Sequence, residues 1–269
     1  MWIRIAAGVG GLAVVLPALL FGGVLAVDLL CWALLVLGCL EYGRLAFPAA
    51  EAAARWTVLL GGIAVFAATV YPSGGILGSG LLLTLGVAAA FVVVMATRRD
   101  LAGALDRMGR IVLGLVYPGL FLAWVPLLRR LEPDTLGRDV VLLLLACIWL
   151  CDTGAYFVGR SLGRHRLAPR LSPKKTWEGA VGGLAASVAT AVAFSRILAL
   201  PWNDAWAVGI GGALCGAAIV GDLAESLLKR AVGVKDSGVF LPGHGGVLDR
   251  LDSVLFGAPI LYLVLVVLG

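Results

Sequence analysis

Val140-Val141-Leu142-Leu143-Leu144-Leu145-Ala146-Cys147-Ile148-Trp149-Leu150-Cys151 runs without a single charge, and Asp152 follows at once. With its flanks the run forms an apolar segment over 139–158, about the ~20 residues a helix needs to cross a hydrocarbon core. Lipid offers the backbone no hydrogen-bond partners, so such a segment must be helical, and the alternating pattern of a membrane barrel is absent. Eight further runs of this kind lie at 5–21, 24–40, 57–71, 76–96, 111–128, 178–199, 205–225 and 251–268. The first two meet at Phe21-Gly22-Gly23 and read as a tight hairpin. Trp2, Trp56, Trp124, Trp177, Trp202 and Trp206 fall near segment ends, where interfacial anchors belong.

Composition says the same of the whole chain. Of 269 residues, 61% are apolar and 14% charged, with mean hydropathy +1.02; soluble domains run near 45–50% and ~25%. An ordinary cytosolic globule, a disordered chain and a disulfide scaffold are excluded. The expectation is an all-α, polytopic integral membrane protein with about nine transmembrane helices. Residues 1–150 are N-terminal membrane helices and residues 151–269 are C-terminal helices carrying the polar loops, all in one integral membrane unit. The apolar start reads as a retained anchor, because no small-x-small cleavage site interrupts it. Cys31, Cys39, Cys147, Cys151 and Cys215 sit in apolar stretches without CxxC spacing and read as buried hydrophobes.

The formal net charge is +5. With the N-terminus placed inside, 17 of the 21 Lys and Arg residues fall on inner segments and 4 on outer ones. That asymmetry places the N-terminus in the cytoplasm, the C-terminus outside, and both long polar loops, 159–177 and 226–250, on the cytoplasmic face. No basic helix or stacking platform of the nucleic-acid kind is visible.

Chemistry concentrates in those two loops. All four lysines, Lys174, Lys175, Lys229 and Lys235, lie there, as do both histidines, His165 and His244. Asp152, near the end of an apolar helix, is costly and calls for a partner or a cation. The first loop ends Ser172-Pro173-Lys174-Lys175-Thr176-Trp177-Glu178-Gly179, which reads as a helix start whose free amides and two lysines suit phosphate oxygens. In the second, Asp222 and Glu225 share a helix face, as do Asp249 and Asp252. Between these pairs lie Lys229, Arg230, Lys235, His244 and glycines 243, 245 and 246. Carboxylates, ammonium groups and glycines together suit a polyphosphate with a divalent cation. A dinucleotide fingerprint, a P-loop, an HExxH zinc site and a GxSxG elbow are all absent.

The run Ser226-x-Leu228-Lys229-Arg230, Lys235-Asp236-x-Gly238, Leu241-Pro242-x-His244-Gly245-Gly246-Val247-x-Asp249-Arg250-Leu251-Asp252 resembles the signature of the phosphatidate cytidylyltransferases, the CDP-diacylglycerol synthases. Ser172-Pro173-Lys174-Lys175-Thr176-x-Glu178-Gly179 is similar to a second motif of that family. The specific resemblance covers about residues 150–255; residues 1–150 match only as generic apolar helices. It implies transfer of the cytidylyl group of CTP to phosphatidic acid, giving CDP-diacylglycerol and pyrophosphate for phospholipid biosynthesis, with Mg2+ as cofactor. It implies Asp222, Asp249, Lys235 and Lys229 as catalytic residues, and Lys174, Lys175, Arg230, His244 and Ser172 as substrate-binding residues. Asp222, Asp249, Asp252 and Asp152 are the implied metal ligands. CTP, phosphatidic acid and membrane lipids are the implied partners, nucleic acid is not, and a homodimer is compatible. The setting would be a bacterial inner membrane with the active site facing the cytoplasm. Two other readings use the same residues differently: a membrane lipid or polyprenol kinase that cuts the γ-phosphate of CTP, and a transporter with an acidic ion site.

Overall fold

The computed structural model describes residues 2–71, 76–97, 101–238 and 245–267, and leaves undescribed the side chains of 2–9, 76–79 and 267. Among the described residues ten α-helices follow one another: α1 (Trp2–Phe21), α2 (Gly23–Ala46), α3 (Ala52–Val70), α4 (Ile76–Ala96), α5 (Ala104–Gly114), α6 (Phe121–Arg129), α7 (Asp134–Leu162), α8 (Trp177–Ile197), α9 (Asp204–Ala231) and α10 (Leu248–Tyr262). The apolar segments read from the sequence all fall on helix, to within a residue or two at their ends. Six helical stretches among the described residues are long and apolar enough to cross a membrane: the chain is an integral membrane protein built of helices.

Three local features depart from a plain helical reading. A π-helical turn, Leu115–Leu120, joins α5 to α6 and contains Pro118; proline has no amide hydrogen for the helix ladder, and the register shifts around it. Helices also overrun their apolar cores. α2 continues to Ala46 and α9 to Ala231, so Glu41, Lys229 and Arg230 are helical residues instead of loop residues. The third feature is a local addition to the all-α architecture: the first polar loop contains an antiparallel hairpin, β1 (Arg166–Ala168) and β2 (Ser172–Thr176), in register Arg166↔Thr176 and Ala168↔Ser172. Pro173 is tolerated because a two-stranded sheet has only edges.

Two compact units can be distinguished: Met1–Ala18, Leu25–Pro126 and Asp236–Asp249 form the first; Leu19–Val24, Leu127–Lys235 and Arg250–Gly269 form the second. In the first, α2 buries Val27, Cys31, Leu35, Gly38, Cys39 and Tyr42 along one face, the repeat expected of a helix packed on one side. α3 packs on α4, α5 and the π-helical turn. Polar side chains tie off its helix ends. The Tyr42 hydroxyl donates to the Arg110 carbonyl at 2.8 Å, and Arg110 donates to the Ala46 carbonyl at 3.0 Å.

In the second unit α7, α8 and α9 pack together. Small residues set their spacing. A β-carbon on Gly154 would stand 2.8 Å from the Gly182 carbonyl, so α7 and α8 approach as closely as small-residue membrane interfaces allow. The buried Ser187 hydroxyl donates to the Gly211 carbonyl at 2.8 Å, linking α8 to α9. Arg129, only 2% exposed, is neutralised by Asp134 at 2.7 Å.

Candidate active site

The end of the first polar loop positions its residues through the start of α8. Thr176 caps that helix, accepting the Gly179 amide at 3.1 Å, and Glu178 accepts the amide of Arg164 at 3.0 Å and lies 2.6 Å from His165 Nδ1. The hairpin is thereby tied to the helix end. Neighbouring residues of a strand face opposite ways, and this splits the dibasic pair: Lys174 is exposed, while Lys175 turns inward.

Lys175 meets Asp222. Its ammonium lies 2.5 Å from Asp222 Oδ2, with the two side chains 26% and 34% exposed. The Ser226 hydroxyl stands 3.4 Å from the other carboxylate oxygen. Asp152 on α7 and Asp252 on α10 both lie within electrostatic reach of Asp222 and of Lys175. The second unit thus places three of the four expected metal ligands and one of the expected phosphate lysines within electrostatic reach of one another. The Asp222–Glu225 pair does not act as one group. Glu225 is buried and forms an ion pair with Lys229 one turn along α9, so the Lys229 ammonium is engaged within its own helix.

No three His, Cys, Asp or Glu side chains among the described residues stand close enough together to hold a metal ion. The donor type nevertheless fits a hard cation: Asp152, Asp222 and Asp252 offer only carboxylate oxygen. The Lys175 ammonium already sits as a cation against Asp222.

Asp249 has a different setting, within the first unit. Its Oδ2 accepts the amide of Gly246 at 2.8 Å and the amide of Ser237 at 3.0 Å, and lies 2.8 Å from the Ser237 hydroxyl. That hydroxyl also contacts the carboxylate of Glu41. Glu41 projects from α2, is 8% exposed, and accepts the amides of Val247 at 2.7 Å and Leu248 at 3.3 Å. Two glycines make the turn feasible. Gly245 has φ +77°, a left-handed conformation that side chains resist, and any β-carbon on Gly246 would collide with the Glu41 carboxylate.

The remaining expected residues are dispersed. Lys235 is exposed beyond the end of α9, Arg230 is exposed and donates to the Val234 carbonyl at 3.2 Å, and Ser172 is half-buried in β2. His244 lies outside the described residues. Glu41 was not expected from the sequence. The signal was present, an acid one residue past an apolar run, the same cue that singles out Asp152.

Comparison with known proteins gives a consistent result. A family model described as "Cytidylyltransferase family" matches residues 2–268. A phosphatidate cytidylyltransferase of Brucella suis is 43% identical over 189 residues, covering 70% of this chain and 67% of the relative. The protein of that name from Pseudomonas aeruginosa is 36% identical over 245 residues, covering 90% of this chain and 85% of its own. The one from Bacillus subtilis is 42% identical over 160 residues, 60% of this chain and 59% of its own.

Proposed function

The chain belongs to the cytidylyltransferase family, and from that premise we propose that it transfers the cytidylyl group of CTP to phosphatidic acid, releasing pyrophosphate and leaving CDP-diacylglycerol in the membrane. The relatives' names supply the substrates. The single observation that carries the reading in this molecule is the Lys175–Asp222 pair with Asp152 and Asp252 in reach, Asp152 and Asp222 standing on helices otherwise apolar enough for a membrane. One substrate is a lipid whose phosphate lies at the interface and the other a soluble triphosphate. Charges in the polar-loop half of these helices are where the two can meet.

In the reaction an oxygen of the lipid phosphate bonds to the α-phosphorus of CTP. The bond from that phosphorus to the oxygen bridging to the β-phosphate breaks, and pyrophosphate departs with the electron pair. No protein nucleophile is needed; positioning and neutralisation of spreading negative charge supply the rate. Lys175 is placed to turn from Asp222 to a phosphate oxygen. Lys174, Lys235 and Arg230, exposed on the adjoining segments, offer charge to the triphosphate, with Lys229, Ser172 and His244 as further contacts. Asp222, Asp152 and Asp252 would hold a magnesium ion, and Asp249 is a further carboxylate for it on sequence grounds. Bound magnesium supplies charge neutralisation on the phosphate oxygens. About nine spans with the N-terminus inside put these residues on the cytoplasmic face of a bacterial inner membrane.

The test is protein purified in detergent, supplied with phosphatidic acid and CTP labelled in the cytidine. Lipid-linked cytidine and pyrophosphate in equal amounts are the expected products. Release of CDP with phosphorylated lipid would replace this reading by a kinase.

A further inference from the structure

We propose that Glu41 is a positioning residue for the reaction: fixed on α2, its carboxylate holds Ser237, Val247 and Leu248 and, through Ser237, sets the orientation of Asp249. The inference rests on the cytidylyltransferase reading and adds to it a residue outside both sequence motifs.

A carboxylate 8% exposed on a helix this apolar is expensive unless its oxygens are satisfied. Here they are satisfied by one segment distant in sequence. Val247 and Leu248 donate their amides at 2.7 and 3.3 Å. These amides lie at the start of α10, where the helix has no internal acceptors for them and its dipole favours a negative charge. The Ser237 hydroxyl completes the set. Ser237 in turn approaches Asp249 Oδ2 with both its amide and its hydroxyl. A fixed chain of contacts therefore runs from α2 through Ser237 to Asp249.

The backbone around Glu41 is shaped for that carboxylate. A β-carbon on Gly238 would stand 2.9 Å from Glu41 Cδ, and one on Gly246 would overlap its oxygens. Both glycines belong to the run that resembles the family signature, and their lack of a side chain admits the Glu41 head group. Glutamine at position 41 keeps the shape and one acceptor oxygen. Its amide group, however, turns donors toward the Val247 or Ser237 donors.

The experiment compares wild type, Glu41→Gln, Ser237→Ala and the double variant, purified in detergent, for kcat, for KM of CTP and of phosphatidic acid, and for thermal unfolding. The expected result is a kcat lowered about tenfold or more in each single variant, with both KM values within about twofold of wild type. The double variant should fall little further than either single one, because both act through one chain of contacts. Unfolding temperature should not track the loss. Wild-type kcat in Glu41→Gln, or losses that multiply in the double variant, would overturn the positioning role. If Glu41→Gln does not fold, Ser237→Ala decides alone: unchanged kcat overturns the inference and a kcat loss at constant KM supports it. An inactive wild type would instead bring down the cytidylyltransferase reading, and this inference with it.

Discussion

Replacing Asp222 by Asn keeps the side-chain shape and removes one negative charge. In the structure that charge lies 2.5 Å from the Lys175 ammonium. Two unit charges at this distance attract by roughly 7 kcal/mol at an effective dielectric near 20, but this is a gross figure that desolvation offsets. The two side chains are 26% and 34% exposed, and pairs of that kind contribute about 0–1 kcal/mol net to folding. The fold should therefore tolerate Asp222→Asn with little change in unfolding temperature. Activity should not. A charge-assisted contact to a phosphate or cation is worth about 1.5–3 kcal/mol, which corresponds to roughly 10- to 150-fold in rate. The assay follows label from CTP into extractable lipid at subsaturating substrate, beside a magnesium titration and a thermal melt of the same preparation. Activity should fall by that factor, with half-saturation moved to higher magnesium. Activity within about twofold of wild type, or a loss that parallels loss of folded protein, would refute the placement of the catalytic charge on Asp222.

Lys235→Ala removes one exposed ammonium; use of CTP and lipid at subsaturating concentrations should fall about tenfold, with the melt unchanged, and wild-type kinetics would remove Lys235 from the site. Arg170→Cys, exposed in the hairpin turn, in a background without the native cysteines, should react with an impermeant thiol reagent only when the cytoplasmic face is opened; labelling of intact cells would invert the orientation drawn from the arginines and lysines. Thr176→Val deletes the hydroxyl that accepts the Gly179 amide and should lower stability by about 1 kcal/mol, read as a lower unfolding temperature; an unchanged melt would show that the cap contributes nothing there.

The helices were legible because lipid removes the ambiguity between helix and strand. A long uncharged run has one way to satisfy its backbone. Their ends were less legible. The apolar run stops at residue 40, but backbone hydrogen bonding does not stop with it, and α2 continues to Ala46. That overrun carries Glu41 into the protein, where the sequence suggested only a loop. The hairpin was hidden for a related reason: Ser172 to Thr176 is too short and polar to show a period, and its pairing depends on residues across a turn. The acids were legible as a group, since charges beside apolar helices demand an explanation. Their partners were not. Three-residue spacing correctly puts Asp222 and Glu225 near one another on α9, yet Asp222 pairs with Lys175 and Glu225 with Lys229. Spacing along a helix says nothing of which neighbouring element supplies the counter-charge.

Glu41 and Ser237 are separated by 196 positions in the chain. During synthesis at about 5–20 residues per second, roughly 10–40 s pass between the two. For that interval α2 holds a carboxylate whose partner segment does not yet exist. The first unit recruits Asp236–Asp249 from beyond the intervening Leu127–Lys235 of the second unit, so it cannot mature in the order in which it is made. A nascent chain stopped before Ser237 carries the early helices with the Glu41 carboxylate lacking its Ser237, Val247 and Leu248 partners. Completion of the early helices thus waits on the synthesis of residues 236–249.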